Sequence, residues 1–233
     1  MPNMPLHVAV IPDGNRRWSR KKGLDPWKGH EEGAKNFEKI IKYSLEKGIQ
    51  CLSIWGSSTD NLAKRPMEEK KALLDIYQRY FKRLLESKEI HENEVKISVN
   101  GKWEEQFPES LKGLIYEAMD KTKHYKKRIL NLLLAYSGTD EMIEAIKKIN
   151  DKYEKGAKIT AEIIKENLMT KELPPVDFLV RTGGEPHNST GFMMWDLSDA
   201  QYYFSEVLFP DFDDIKYGEA LEDYARRQRR FGK

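Results

Sequence analysis

The chain has 233 residues, of which 39% are hydrophobic and 33% charged, with a net charge of +2. That length holds one domain with a buried core, and so small a net charge excludes the global positive field of a nucleic-acid binder, so a cationic site must be local. Cys51 is the one cysteine, which excludes an internal disulfide and a cysteine-based zinc cage; inside an apolar run it reads as a small core residue.

In chain order, the first element is the apolar run His7–Pro12, read as a buried strand. It stops at Asp13, Gly14 and Asn15 and opens onto Arg16, Arg17, Arg20, Lys21 and Lys22. A helix follows over about 30–46, with Phe37, Ile40, Ile41 and Leu45 on one stripe. Cys51–Trp55 is a second buried strand and leaves through "GSSTDN". The helix over about 67–86 carries Leu73, Leu74, Ile76, Tyr77, Tyr80, Phe81, Leu84 and Leu85. That face is wider than one packing stripe needs, so it reads as the wall of a tunnel as well as core. Val95–Val99 is a shorter, alternating strand, followed by a helix over about 105–124. Leu130–Ala135 leaves through "YSGTDE" into a helix over about 140–153, and Val176–Val180 leaves through "RTGGEP". "DFDD" at 211–214 follows Pro210 and reads as a helix cap.

Buried strands alternating with helices specify an α/β fold, a mostly parallel central sheet flanked by helices, as a single domain over 1–233. The longest nearly apolar run, Ile129–Tyr136, is far short of the ~20 residues that span a bilayer. No charged segment followed by a long apolar stretch opens the chain, so the expectation is a cytoplasmic protein that can still touch a membrane surface.

Four strand exits that are small, polar and glycine-bearing point to a ligand, because anions bind outside the carboxyl ends of parallel strands. Asp13 sits at the first exit. A lone carboxylate among arginines suits Mg²⁺, which takes one or two carboxylates and completes its shell with substrate phosphates and water. Gly14 lets the backbone approach closely, Asn15 supplies hydrogen bonds, and Arg17 grips phosphate oxygens through its planar fork. Phosphate, Mg²⁺ and arginine together stabilise a departing diphosphate. Neither GxxxxGK[ST] nor a GxGxxG after the first strand is present, which disfavours a nucleotide.

"HVAVIPDGNRRW" resembles the signature of the cis-prenyltransferases, the undecaprenyl diphosphate synthases and their relatives. The resemblance continues in order through "GH" at 29–30, "SSTDN" at 57–61, "RP" at 65–66, "LNLLLAYSG" at 130–138, "VDFLVRTGGE" at 176–185, "YYFSEVLFPDF" at 202–212 and "RRQRRFG" at 226–232. It implies a dimeric parallel-sheet enzyme with a hydrophobic tunnel. Such an enzyme displaces diphosphate from an allylic prenyl donor and condenses it with isopentenyl diphosphate in cis geometry, with Mg²⁺. By matching motif it implies Asp13 as the metal-binding acid and Asn61 as the proton-handling residue. Gly14, Asn15, Arg16, Arg17 and Trp18 would line the donor diphosphate, with His30 and Arg65 assisting and Ser58, Thr59 and Asp60 at the next strand exit. Arg181 and Ser189 would face the second diphosphate, and Arg230 and Gly232 would reach a neighbouring subunit's site. The resemblance implies a homodimer or heterodimer, of which a homodimer is the expectation, and the near-zero net charge speaks against a nucleic-acid partner.

Five positions depart from that pattern. Arg16 replaces a glycine, Pro26 stands for an arginine, Leu62 for a tryptophan, His187 for the second-site arginine and Gln201 for a glutamate ligand. The last two weaken the second-substrate site, since an amide and a neutral imidazole hold Mg²⁺-diphosphate less well than a carboxylate and a guanidinium. Two further readings follow from them: an unusual acceptor, such as a second allylic diphosphate, and a non-catalytic subunit of a heteromeric prenyltransferase.

Overall fold

The computed structural model describes residues 4–227. The strands are β1 (His7–Ile11), β2 (Cys51–Trp55), β3 (Val95–Asn100), β4 (Arg128–Leu133), β5 (Phe178–Arg181) and β6 (Gln201–Phe204). All pair in parallel, in the order β3-β4-β2-β1-β5-β6. The helices are α1 (Asn15–Lys21), α2 (Pro26–Glu46), α3 (Thr59–Lys64), α4 (Met67–Glu86), α5 (Lys88–Glu92), α6 (Trp103–Gln106), α7 (Glu109–Thr122), α8 (Gly138–Lys152), α9 (Ala161–Asn167) and α10 (Asp214–Arg226).

β1 and β2 are buried at every position, as central parallel strands covered on both faces must be, whereas edge strand β3 alternates. One face packs Val8, Val10, Leu52, Ile54, Leu130, Phe178 and Val180 against α2, α4, α7 and α10. The other packs Ala9, Ile11, Cys51, Leu133 and Leu179 against Leu173, Val176, Phe192, Met193 and Leu197. Burial pushes the Cys51 thiol far above its usual range, consistent with an inert core residue.

Several boundaries differ from the sequence expectations; the strand expected from Val176, for one, begins at Phe178. α2 starts at Pro26 rather than at residue 30, because a proline at the first helical position loses no hydrogen bond there. The helix expected over 105–124 is two: Pro108 ends α6 and precedes α7. Ala135 is not strand; it sits at φ 48° where the chain turns out of β4. β6 was not foreseen at all.

Candidate active site

The carboxyl ends of β1, β2 and β5 meet at one end of a cavity of about 1150 Å³. Its polar mouth is lined by Asp13, Gly14, Asn15, Arg16, Arg17, Arg20, His30, Ser57, Ser58, Asp60, Asn61, Arg65, Arg181 and Ser189. Its interior is apolar, between Phe37, Ile41 and Leu45 of α2, Leu73, Ile76, Tyr77, Tyr80, Phe81 and Leu84 of α4, and Ile54, Leu130 and Leu132 of the sheet. Six of the eight residues of the wide α4 face line it; Leu74 and Leu85 pack against the core instead. Burial raises the Tyr77 phenol to about 12, so it stays neutral in that wall.

Asp13 is held between two arginines. Oδ1 lies 3.0 Å from Arg17 Nη2 and Oδ2 accepts from Arg181 Nη2 at 2.9 Å. Its backbone is fixed as well, since its carbonyl accepts from Thr182 Oγ1 at 2.8 Å and from the Phe209 amide at 3.0 Å. The turn that delivers it needs Gly14, at φ 107°, where a Cβ would meet Leu208 Cδ2 at 2.7 Å. Arg181 is 5% exposed, donates from Nη1 to the His187 carbonyl at 2.6 Å, and has no partner for Nε. A buried arginine with an unsatisfied donor beside one carboxylate is an anion site short of an anion.

A second cluster lies across the mouth. Glu69 Oε1 is 3.5 Å from Arg16 Nε, 3.3 Å from His30 Nε2 and 3.3 Å from Arg65 Nε. α1, α2 and the segment leading into α4 each bring one of these three bases to a single carboxylate oxygen. Hydrogen bonding from His30 and the two guanidinium charges hold the Glu69 carboxyl below its usual range against its own burial. Arg65 Nη1 is buried without a partner. Sequence reasoning placed Arg16, His30 and Arg65 at the mouth but missed Glu69. Its one signal, a position four residues after Arg65, is also what an ordinary acid in a helix's first turn shows.

The remaining expected residues divide. Ser58 caps α3 by accepting from the Asn61 amide at 3.0 Å, which sets Asp60 and Asn61 at the mouth. Thr59 points away, donating to the Ala135 carbonyl and to Asp140. Trp18 is buried and absent from the cavity wall; its indole N–H donates to Asp211 at 2.8 Å, and Lys22 lies over the ring. Asp213, rather than the whole acidic cluster, caps α10. Leu62 is fully buried core. Pro26 opens α2, and Arg16 joins the other arginines at the mouth. His187 is exposed beside Glu185 and contributes its carbonyl rather than its ring. Gln201 opens β6 paired with Phe178, at the opposite end of β5 from Arg181, and lies 3.4 Å from Arg227 Nη1. It therefore cannot join Asp13 within one chain. Arg230 and Gly232 lie outside the described residues.

Among the described residues no group of three or more His, Cys, Asp or Glu could hold a metal by itself. Asp13 is one carboxylate at an anion mouth, the donor set that suits Mg²⁺ when phosphates supply most of its ligands.

A polar, cation-rich mouth on an apolar cavity fits a protein that handles a molecule with an anionic head and a hydrocarbon tail. The family described as "Putative undecaprenyl diphosphate synthase" matches residues 11–232. A tritrans,polycis-undecaprenyl-diphosphate synthase (geranylgeranyl-diphosphate specific) of Pyrococcus horikoshii is 36% identical, over 99% of this chain and 88% of its own. An isoprenyl transferase of Thermus thermophilus is 36% identical, over 99% and 89%. Among solved structures, lavandulyl diphosphate synthase from Lavandula x intermedia, crystallised with dimethylallyl diphosphate, superposes with a TM-score of 0.89 at 30% identity over 99% of both chains. A probable undecaprenyl diphosphate synthase from Campylobacter jejuni gives 0.79 at 28%, over 99% and 100%. The chain belongs to the undecaprenyl diphosphate synthase family, and it is a prenyltransferase.

Proposed function

We propose that this chain displaces diphosphate from an allylic prenyl diphosphate and joins the prenyl group to isopentenyl diphosphate in cis geometry. The observation that carries this is a single cavity of about 1150 Å³ that joins the mouth, with Asp13 held by Arg17 and Arg181, to an apolar interior. The donor's diphosphate sits on Arg16, Arg17, His30 and Arg65, with its tail along α2 and α4. The second diphosphate sits on Arg181 and Ser189. Breaking the allylic C–O bond leaves its electron pair on diphosphate oxygen, and the guanidinium groups lower the energy of that developing charge in a site that excludes water. The allylic carbon bonds to C4 of isopentenyl diphosphate, and the proton lost from C2 passes to a diphosphate oxygen; Asn61, at the mouth on capped α3, would orient that transfer. Asp13 would hold Mg²⁺ together with the substrates' phosphates, and the ion would supply further charge neutralisation.

The same reading includes a homodimer. β6 is an edge strand that exposes Tyr202 and Phe204, stacked at 5.9 Å, and exposed parallel edges need cover. A second copy there brings Gln201 and Arg227 towards a neighbouring mouth. No helix among the described residues is long and apolar enough to cross a membrane, so a lipid product would leave by surface contact.

The test is incubation of pure protein with Mg²⁺, radiolabelled isopentenyl diphosphate and a panel of allylic diphosphates, with product masses read. We expect products spaced by one isoprene unit. Product formed only when isopentenyl diphosphate is omitted would assign the unusual acceptor instead, and no turnover without a second protein would assign a subunit role.

A further inference from the structure

Three bases on one oxygen of a buried acid is more than an ion pair needs. Arg16 and Arg65 both meet Glu69 through Nε, and Arg65 Nη1 is buried without a partner. His30 meets it through Nε2, and its Nδ1 carries no hydrogen bond among the described residues although the ring lines the cavity. An ionised carboxylate only accepts, so the hydrogen on His30 must be on Nε2. In the neutral ring Nδ1 is then a bare acceptor, which repels a phosphate oxygen. The protonated ring would donate to it.

We propose that Glu69 is a positioning residue of the donor site: by accepting the Nε2–H of His30 it turns Nδ1 to the cavity and lets the imidazole take up a proton as a diphosphate binds. This rests on the prenyl diphosphate reading of the mouth. The charged groups facing His30 are Glu69 of α4, Arg65 just before α4 and Arg16 of α1. In the free protein burial lowers the His30 pKa, Arg65 and Arg16 push the same way, and Glu69 opposes them. The ring is therefore neutral near pH 7. A bound diphosphate adds negative charge at Nδ1 and reverses the balance. The proton comes from solvent, and no covalent bond of the protein changes. Since the complex binds more protons than the free partners at this site, affinity falls as pH rises between the two His30 pKa values. Glu69 keeps the cost small, because the imidazolium it faces is then paired on both nitrogens.

The experiment is calorimetric titration of the full chain with inorganic diphosphate, at fixed Mg²⁺ and pH 7.5, in two buffers of different ionisation enthalpy. Protons taken up by wild type are compared with those taken up by His30→Gln, which cancels the ligand's own titration. We expect wild type to exceed His30→Gln by an amount approaching about one proton. Glu69→Gln should fall to the His30→Gln count and bind about tenfold more weakly, and Glu69→Asp should recover part of both. A wild-type proton count retained in Glu69→Gln overturns the proposal, as does an equal count in wild type and His30→Gln. A purely structural Glu69 would weaken binding and lower the melting temperature without changing the count. Wild-type protein that binds no diphosphate would overturn the donor-site reading itself.

Discussion

The two sides of the mouth are built differently. On the side proposed for the donor, Arg16, His30 and Arg65 hang from helices or helix starts and converge on an internal acid, so their positions are set by the fold. On the other side, Arg181 ends a strand, and one of its two side-chain partners, the His187 carbonyl, belongs to the segment 182–193. That segment turns through positive φ at Gly183, Gly184, Thr190, Gly191 and Met193. Arg181 has no acid of its own and borrows Asp13 and a backbone carbonyl. A preassembled donor side and a loop-built second side suit a reaction in which the donor binds first and the second diphosphate completes the site.

The sharpest way to break that comparison is to remove what both sides share. Asp13→Ala deletes the carboxylate between Arg17 and Arg181, and we expect turnover to fall by at least ~10²-fold, the scale of losing one key electrostatic group. The protein should still fold but melt at a lower temperature, because the buried Arg181 loses its carboxylate partner. Steady-state rates with a thermal melt check this, and near-normal turnover would sink the mechanism.

Next in size are the arginines. Arg17→Ala should raise the KM for the allylic donor and Arg181→Ala that for isopentenyl diphosphate, each by about tenfold to a hundredfold, the loss of a charged hydrogen bond. If both variants weakened one substrate only, the two sides would not be separate sites.

A smaller effect sharpens the contrast on the loop side. Tyr136 is fully buried; its hydroxyl donates to Glu141 and accepts from the Met193 amide at 3.2 Å, and Glu141 accepts from the Thr170 amide at 2.9 Å. This network anchors the far end of the segment that carries Ser189. Tyr136→Phe leaves buried partners unsatisfied and should cost about 1–3 kcal/mol of stability by chemical denaturation. If the anchor matters to the site, the KM for isopentenyl diphosphate should rise more than that for the donor; equal changes would show that the loop is positioned by other contacts.

Much of this was legible in the sequence because it is local. Apolar runs followed by glycine and hydroxyl residues give strands and their exits, and the cations after Asp13 lie within one helix of it. β6 was not legible because "QYYF" is four residues with alternate side chains exposed, an edge pattern without a buried run. Glu69 was not, because its meaning depends on three elements meeting. Trp18 was misplaced at the diphosphate because its motif neighbours face the mouth. On a helix, however, Trp18 points elsewhere than Arg16 and Arg17, towards Asp211.

The smallest expected effect concerns His187 and Gln201, the two departures that weaken the second-substrate side in sequence. The structure separates them. His187 is exposed beside the mouth, while Gln201 begins β6 at the far end of β5 and lies close to Arg227. Within one chain Gln201→Glu only adds charge beside Arg227, an exchange on the scale of a surface pair, about 0–1 kcal/mol. His187→Arg adds a cation near Glu185 and should lower the KM for isopentenyl diphosphate by about threefold at most, since it remains solvated. A larger gain from the double variant than from the two singles requires both residues at one mouth, and only a second copy across the β6 edge can bring them there. Kinetics measured over a range of protein concentration, alongside the mass of the species present, decide it. Coupling that vanishes on dilution places Gln201 in a shared site, and simple additivity at every concentration leaves it a surface residue of the edge strand.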